Sequence, residues 1–177
     1  MSRYQKLRGA FAAYKESEKK FCDENVLLAT LIVNGLRDFL EMPRNFQSNG
    51  ETKSYTPFYN LDEEENTSEV PFLQNALTHV SDGSFRFGLG VILEKAEVEF
   101  PKHNLIIIIR CARKGNEAHF TILDKELDCD FDGAICPDVE KVHALIYRLV
   151  SEWLKQRPGD HDSQTKIGFK LENRVVE

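Results

Sequence analysis

The residues best suited to chemistry lie in one short acidic stretch. Asp128, Asp130 and Asp132 occupy alternate positions, and Gly133 follows them. Oxygen ligands on alternate residues of a tight loop are what calcium requires, and a glycine permits the sharp turn of such a loop. Glu140 offers a further carboxylate. The stretch therefore predicts a metal site formed by these four carboxylates, and a metal-assisted hydrolase is one activity that such a site supports.

The same stretch resembles the first eight positions of an EF-hand calcium loop. Carboxylates stand at the first, third and fifth positions, the glycine at the sixth, and the aliphatic Ile135 at the eighth. Val139 stands at the twelfth position, where the family has a bidentate glutamate, and Glu140 comes one residue later. The resemblance implies calcium as the ligand. The alternative is a surface strand whose apolar side chains point inward and whose aspartates point outward.

Cysteine and histidine residues offer a second kind of chemistry, because a thiolate beside an imidazole is a nucleophile. Cys111 and His119 fall on opposite faces of a predicted hairpin, which disfavours that pair. Cys129 or Cys136 with His143 stays open, and the same three residues offer zinc ligands at a spacing that matches no common structural pattern. Buried, unreactive thiols are the simpler interpretation.

Composition and charge restrict the classes of protein. The 177 residues, 41% hydrophobic and 29% charged, suit one globular domain over the whole chain. A formal net charge of −6 argues against nucleic acid as the partner. No apolar run approaches the length of a membrane span, and no signal-peptide pattern is present. Four cysteines without a Cys-x-x-Cys pair predict free thiols and a cytoplasmic location.

The most hydrophobic and most β-branched run in the chain covers residues 104–112. Such a run is typical of a strand buried inside a sheet, so we predict that it forms the central strand. Its predicted register leaves residues 106–109 in need of cover on both faces. We expect the second cover to come from residues 26–40, from the C-terminal helix or from another subunit.

A tight turn over residues 115–116 predicts a β-hairpin that pairs the opposite charges of Lys114 and Glu117. Carried back along the two strands, this register sets Cys111 opposite Phe120. The hairpin is therefore predicted to have one apolar face near its tip.

The preceding strand, residues 85–93, alternates apolar side chains with Gly88 and Gly90. Glycines on one face of a strand suggest the close approach of another backbone. A small-molecule pocket near them, between the sheet and the helices, is a further functional hypothesis. The apolar alternation then shifts, which predicts a bulge near residues 94–96 or two separate strands, and a last alternation over residues 167–171 predicts an edge strand.

Residues 3–41 have a helical pattern, as one helix or as two that meet near Asp23. Apolar side chains recur at alternating intervals of three and four, beginning with Tyr4, Leu7, Phe11 and Tyr14. A narrow stripe at this spacing suits a partner helix, in the same fold or in a second subunit. The alternative is a helix laid on its own sheet.

Residues 137–155 predict an amphipathic helix that starts at Pro137. Residues 43–70 predict a long, polar surface loop that is either functional or partly disordered and mobile. We therefore expect an α+β fold, an antiparallel meander of about four to five strands. A long N-terminal helix (or helix pair) and a C-terminal amphipathic helix cover this sheet.

The order of helix, antiparallel strands and closing helix is loosely similar to that of small acidic secretion chaperones. Apolar helical surface, acidic net charge and the lack of an assembled catalytic constellation predict a non-enzymatic intracellular interaction protein. We expect it to form a homodimer or to bind another protein. The alternatives are a metal-assisted hydrolase or calcium-binding protein that uses Asp128, Asp130 and Asp132, and a regulatory domain that binds a small molecule.

Overall fold

The computed structural model describes residues 2–95, 102–155 and 169–172 of the chain. Within these ranges a long helix is followed by a strand-rich region, a second long helix and a last strand. In chain order the elements are α1 (Arg3–Phe39), β1 (Asn45–Ser48), β2 (Glu51–Ser54), β3 (Phe58–Leu61), β4 (Thr67–Val70), α2 (Leu73–Ala76), β5 (Thr78–His79), β6 (Phe85–Leu93), β7 (His103–Lys114), β8 (Glu117–Ile122), β9 (Lys125–Asp130), α3 (Val139–Leu154) and β10 (Phe169–Glu172).

Helix α1 is one continuous helix of 37 residues, which decides between the one-helix and two-helix interpretations. A capping box starts it: the Gln5 N–H donates to Ser2 Oγ, and the Ser2 N–H donates to Gln5 Oε1. At the other end Glu41 has a φ of 50°, a left-handed conformation that ends the helix ahead of Pro43.

The main sheet is antiparallel and is built around β7. Its strand order is β4-β3-β6-β7-β8-β9, with β5 beside β6 and β10 beside β7, while β1 and β2 form a separate hairpin. Strand β6 follows one edge of β7, and β8 and β10 share the other edge. The predicted α+β class is confirmed, and strands β6 to β9 form the meander within it.

The predicted register of the central hairpin is also confirmed. Lys114 lies opposite Glu117, and Cys111 lies opposite Phe120. The last predicted strand forms as β10, which pairs with residues 104–107 of β7. The predicted bulge near residues 94–96 extends beyond the described residues.

The prediction of a long loop without secondary structure over residues 43–70 is wrong, because four strands form there. β1 and β2 meet at a turn in which Asn49 and Gly50 both have positive φ, 50° and 79°. This is the Asn-Gly combination typical of a tight hairpin turn. Each strand has only four residues, so the apolar alternation is too short to separate strand from loop.

One face of the central strand is covered by the two long helices. Ile107 and Ile109 belong to a buried core that also contains Leu28 and Ile32 of α1 and Ile146 of α3. Both helices therefore turn an apolar face towards the sheet, which explains their amphipathic pattern in this region.

On the other face of β7, the Tyr59 side chain of β3 lies across the intervening strand β6, and its hydroxyl oxygen accepts a hydrogen bond from Asn104 of β7. A Cβ placed on Gly88 would lie 2.9 Å from Tyr59 Cβ and 3.3 Å from Ile106 Cγ2, so the glycine permits this close approach. At the turn after β3, Glu65 forms an ion pair with Arg110 of β7. Part of the second cover thus comes from segment 43–70, which we interpreted as a loop and did not count among the three expected sources.

The two long helices contact each other at a glycine. A Cβ on Gly35 would lie 2.4 Å from His143 Cε1, and His143 Nε2 lies 3.0 Å from the Ile32 carbonyl oxygen.

Helix α3 begins at Val139, so Pro137 precedes the helix instead of starting it. A proline suits a turn as well as the first position of a helix, so the presence of Pro137 did not fix where the helix begins.

Replacing Gly35 with alanine tests this helix contact. We expect Gly35→Ala to lower the free energy of unfolding by about 1 to 2 kcal/mol. The added methyl group would overlap the His143 ring, and this destabilisation exceeds the stabilisation that the higher helix propensity of alanine provides. Gly9→Ala, in the same helix, is the matched control, since nothing lies within 4 Å of its Cβ position. Urea denaturation of both variants gives the comparison, and equal stability for the two would contradict the contact.

Candidate functional site

The acidic stretch runs along an edge strand of the sheet. Asp128 and Asp130 are exposed on β9, while Cys129 between them is buried. Asp128 Oδ1 lies 2.6 Å from Nδ1 of His119 on the neighbouring strand. The aspartates of β9 therefore point outward, as the strand interpretation of this stretch predicts.

Asp132 has a local structural role in the turn after β9. Its Oδ1 accepts hydrogen bonds from the N–H groups of Ala134 (2.9 Å) and Ile135 (2.8 Å). These backbone donors hold the pKa of Asp132 below its usual range. The carboxylate is thus already used to close a turn that has Gly133 at a φ of 95°.

The predicted metal ligands are not drawn together by the fold. Glu140 lies in the first turn of α3 and is exposed. Within residues 2–95, 102–155 and 169–172, no three His, Cys, Asp or Glu side chains are placed to hold an ion. The calcium site and the metal-assisted hydrolase stay predictions that no contact of Asp128, Asp130, Asp132 or Glu140 supports.

Among the described residues, no cysteine forms a hydrogen bond with a histidine. A hydrogen bond between the thiols of Cys129 and Cys136 raises the pKa of Cys129 and lowers that of Cys136, and both residues are buried. His143 instead contacts α1, and its burial lowers its pKa. Burial also raises the pKa of Cys111 to about 12, so this thiol stays protonated.

A different feature stands out on α1. Every residue from 2 to 20 is exposed, whereas Asn25, Leu28, Ile32 and Leu36 further along the same helix are buried. Residues 3–20, which we call the projecting segment, therefore extend about 27 Å without burying a side chain.

The projecting segment carries large apolar side chains on one side. Tyr4, Leu7, Phe11 and Tyr14, which we call the stripe, are between 61% and 72% exposed. Because they recur at intervals of three and four, they form one line along the helix. Exposed apolar surface of this kind marks interaction sites in proteins in general.

Arg113, at the tip of the β7–β8 hairpin, marks where the projecting segment ends. Its guanidinium lies 4.7 Å from the ring centres of both Phe21 and Phe131. It also donates to Glu24 Oε2 (2.7 Å) and Asn25 Oδ1 (3.0 Å). We call this set of contacts the Arg113 clamp; it joins the central strand to the middle of α1.

The projecting segment also differs from the rest of the chain in charge. It has two acidic residues against six basic ones, a formal charge of +4, whereas the remaining residues together carry −10. The basic residues are Arg3, Lys6, Arg8, Lys15, Lys19 and Lys20. The sequence pattern indicated the stripe, but only the structure shows that the sheet leaves it uncovered.

Comparisons with models of protein families, with curated proteins and with solved structures found no match to this chain. Among the described helices, none has the length and apolar character that crossing a membrane requires.

Truncating Arg113 tests the clamp. We expect Arg113→Ala to lower the free energy of unfolding by about 3 kcal/mol. The substitution leaves the Glu24 carboxylate without its buried partner and removes the contacts of the guanidinium with the Phe21 and Phe131 rings. Lys114→Ala changes an exposed neighbour on the same strand and is expected to cost less than about 0.5 kcal/mol. Chemical denaturation measures both, and a clamp variant as stable as Lys114→Ala would refute the assignment.

Proposed function

We propose that this chain is a non-enzymatic cytoplasmic interaction protein that self-associates through its projecting segment. The observation that carries the proposal is the stripe, four large apolar side chains that stay exposed on the projecting segment. The four cysteines are free thiols, which suits a reducing compartment.

The stripe continues the line by which α1 packs on its own sheet. The alternating spacing runs on from Tyr14 through Glu18 and Phe21 to Asn25 and Leu28, where burial begins. A repeat averaging 3.5 residues is the pattern that pairs helices side by side. Helix α1 therefore carries one continuous helix-pairing line. The part of this line after residue 21 is buried against the sheet, and the part before it, the stripe, is exposed.

A second copy fits this surface in an antiparallel arrangement. With Tyr4 of one copy beside Tyr14 of the other, and Leu7 beside Phe11, each of the four side chains meets another member of the stripe. The arrangement has two-fold symmetry, so both copies use the same residues. Glu18 then lies beyond the stripe, near the N-terminus of the second helix, where the helix dipole favours a carboxylate.

The area of the stripe is enough for a weak dimer. A large apolar side chain presents roughly 200 Å², and two thirds of this surface on eight side chains comes to roughly 1,000 Å² in total, the lower limit for a specific interface. The formal charge of +4 on each segment opposes pairing. Because salt screens this repulsion, the dimer is expected to tighten as salt increases.

Salt dependence separates self-association from the competing partners of a basic amphipathic helix. An acidic protein or an anionic lipid surface would bind the same segment less tightly as salt increases, because attraction is then screened. We therefore expect sedimentation velocity to show a monomer–dimer equilibrium in the micromolar range that shifts towards dimer in high sodium chloride.

Two acidic substitutions in the stripe test the proposal. We expect Leu7→Glu with Phe11→Glu to weaken dimerisation more than about 100-fold, equivalent to about 2.8 kcal/mol, because four charges would enter the interface. Ala12→Glu with Ala13→Glu makes the same charge change on the side of the helix away from the stripe and is expected to leave the dimer intact. A wild-type monomer at every concentration and salt, or a dimer that survives the stripe substitutions, would rule out the proposal.

A further inference from the structure

A second site stands apart from the projecting segment and does not depend on self-association. A cavity of about 610 Å³ lies between the β1–β2 hairpin, β3 and the segment around β4. Its lining includes Phe46, Tyr59, Ile92 and Asn104. We call it the hairpin pocket, and its volume falls in the range of small-molecule sites.

Asn104 supplies an unpartnered polar group to the hairpin pocket. The residue is only 5% exposed, and its Nδ2 donates to the hydroxyl oxygen of Tyr59. Its Oδ1 has no hydrogen-bond donor among the described residues. Leaving a buried acceptor unpaired is unfavourable, so a ligand that donates a hydrogen bond to Oδ1 would gain affinity from this contact.

The Asn104 side chain lies close to Gly90 of the neighbouring strand, which in turn contacts Pro57. A Cβ on Gly90 would lie 2.7 Å from Asn104 Oδ1 and 2.6 Å from Pro57 Cγ, and the Gly90 N–H donates to the Pro57 carbonyl oxygen at 2.8 Å. Glycine at this position therefore makes room for the amide oxygen. The pocket hypothesis formed from Gly88 and Gly90 thus has a physical basis, although the pocket lies beside the hairpins instead of between sheet and helices.

The buried end of the hairpin pocket carries no charge. Thr56, Pro57, Tyr59 and Asn104 are buried there, whereas Glu51 and Glu69 are exposed and Lys53 is half-buried in the rest of the lining. The buried ammonium of Lys102 is 5.1 Å from the Phe46 ring centre and pairs with Glu94, so this pair adds no net charge. The lining therefore has two carboxylates and one ammonium, and this balance disfavours an anionic ligand.

We propose that the hairpin pocket binds a neutral, hydroxyl-rich small molecule of about monosaccharide size. Hydroxyl groups of such a ligand donate to Asn104 Oδ1 and exchange hydrogen bonds with the side chains of Thr52 and Ser54 in the lining. The rings of Phe46 and Tyr59 offer apolar faces to its carbon skeleton. The pocket is thus assigned to ligands with several donors and one apolar face.

Two probes of similar size and different charge test this assignment. Glucose is neutral and gluconate is anionic, and each is titrated into ¹⁵N-labelled full-length protein while amide spectra are recorded. We expect glucose to produce saturable shifts at the amides of Gly90 and Ile92 and at the side-chain amide of Asn104. Gluconate is expected to produce none.

Asn104→Leu removes the amide at nearly the same volume and is expected to weaken glucose binding at least tenfold. Asn45→Leu, the same change on β1 outside the pocket lining, is expected to leave it unaltered. Thermal melting of both variants verifies that they fold. The assignment is overturned if glucose gives no saturable shift in the wild-type protein, if gluconate binds better, or if Asn104→Leu binds glucose as tightly as Asn45→Leu does.

Discussion

The Arg113 clamp is the interaction on which the use of α1 depends. A single guanidinium lies between two aromatic rings and bonds to Glu24 and Asn25. Because Arg113 sits at the tip of the β7–β8 hairpin, helix α1 contacts the sheet from that point onward and extends free before it. Because the helix is joined to the sheet at its middle, its two halves differ: the second half completes the core, and the first half leaves its stripe exposed.

The parts of the fold that could be predicted from sequence are those with long, repeated patterns. The apolar run over residues 104–112 and the turn at residues 115–116 defined the central strand and the hairpin register. The four strands of residues 43–70 were missed because each is too short to show a period, although Asn49-Gly50 is a hairpin signal. That omission also hid the cover that Tyr59 provides for Ile106.

The candidate sites show why residue types alone are a weak guide to function. Asp128, Asp130 and Asp132 have the spacing of calcium ligands, yet two point outward from an edge strand and the third closes a turn. Asn104 had no distinguishing sequence pattern, since an unpaired acceptor is defined only by its surroundings. The stripe could be predicted in part. Its spacing is visible in the sequence, but its exposure depends on where the sheet ends, which only the structure shows.

The central claim, that a second copy covers the projecting segment, is tested most directly by hydrogen exchange at a series of protein concentrations. An uncovered helical segment of this length frays and exchanges quickly. Our account predicts that the amides of residues 4–18 become more protected as concentration increases through the micromolar range, while those of α3 do not change. Fast exchange of residues 4–18 that is the same at every concentration would contradict it.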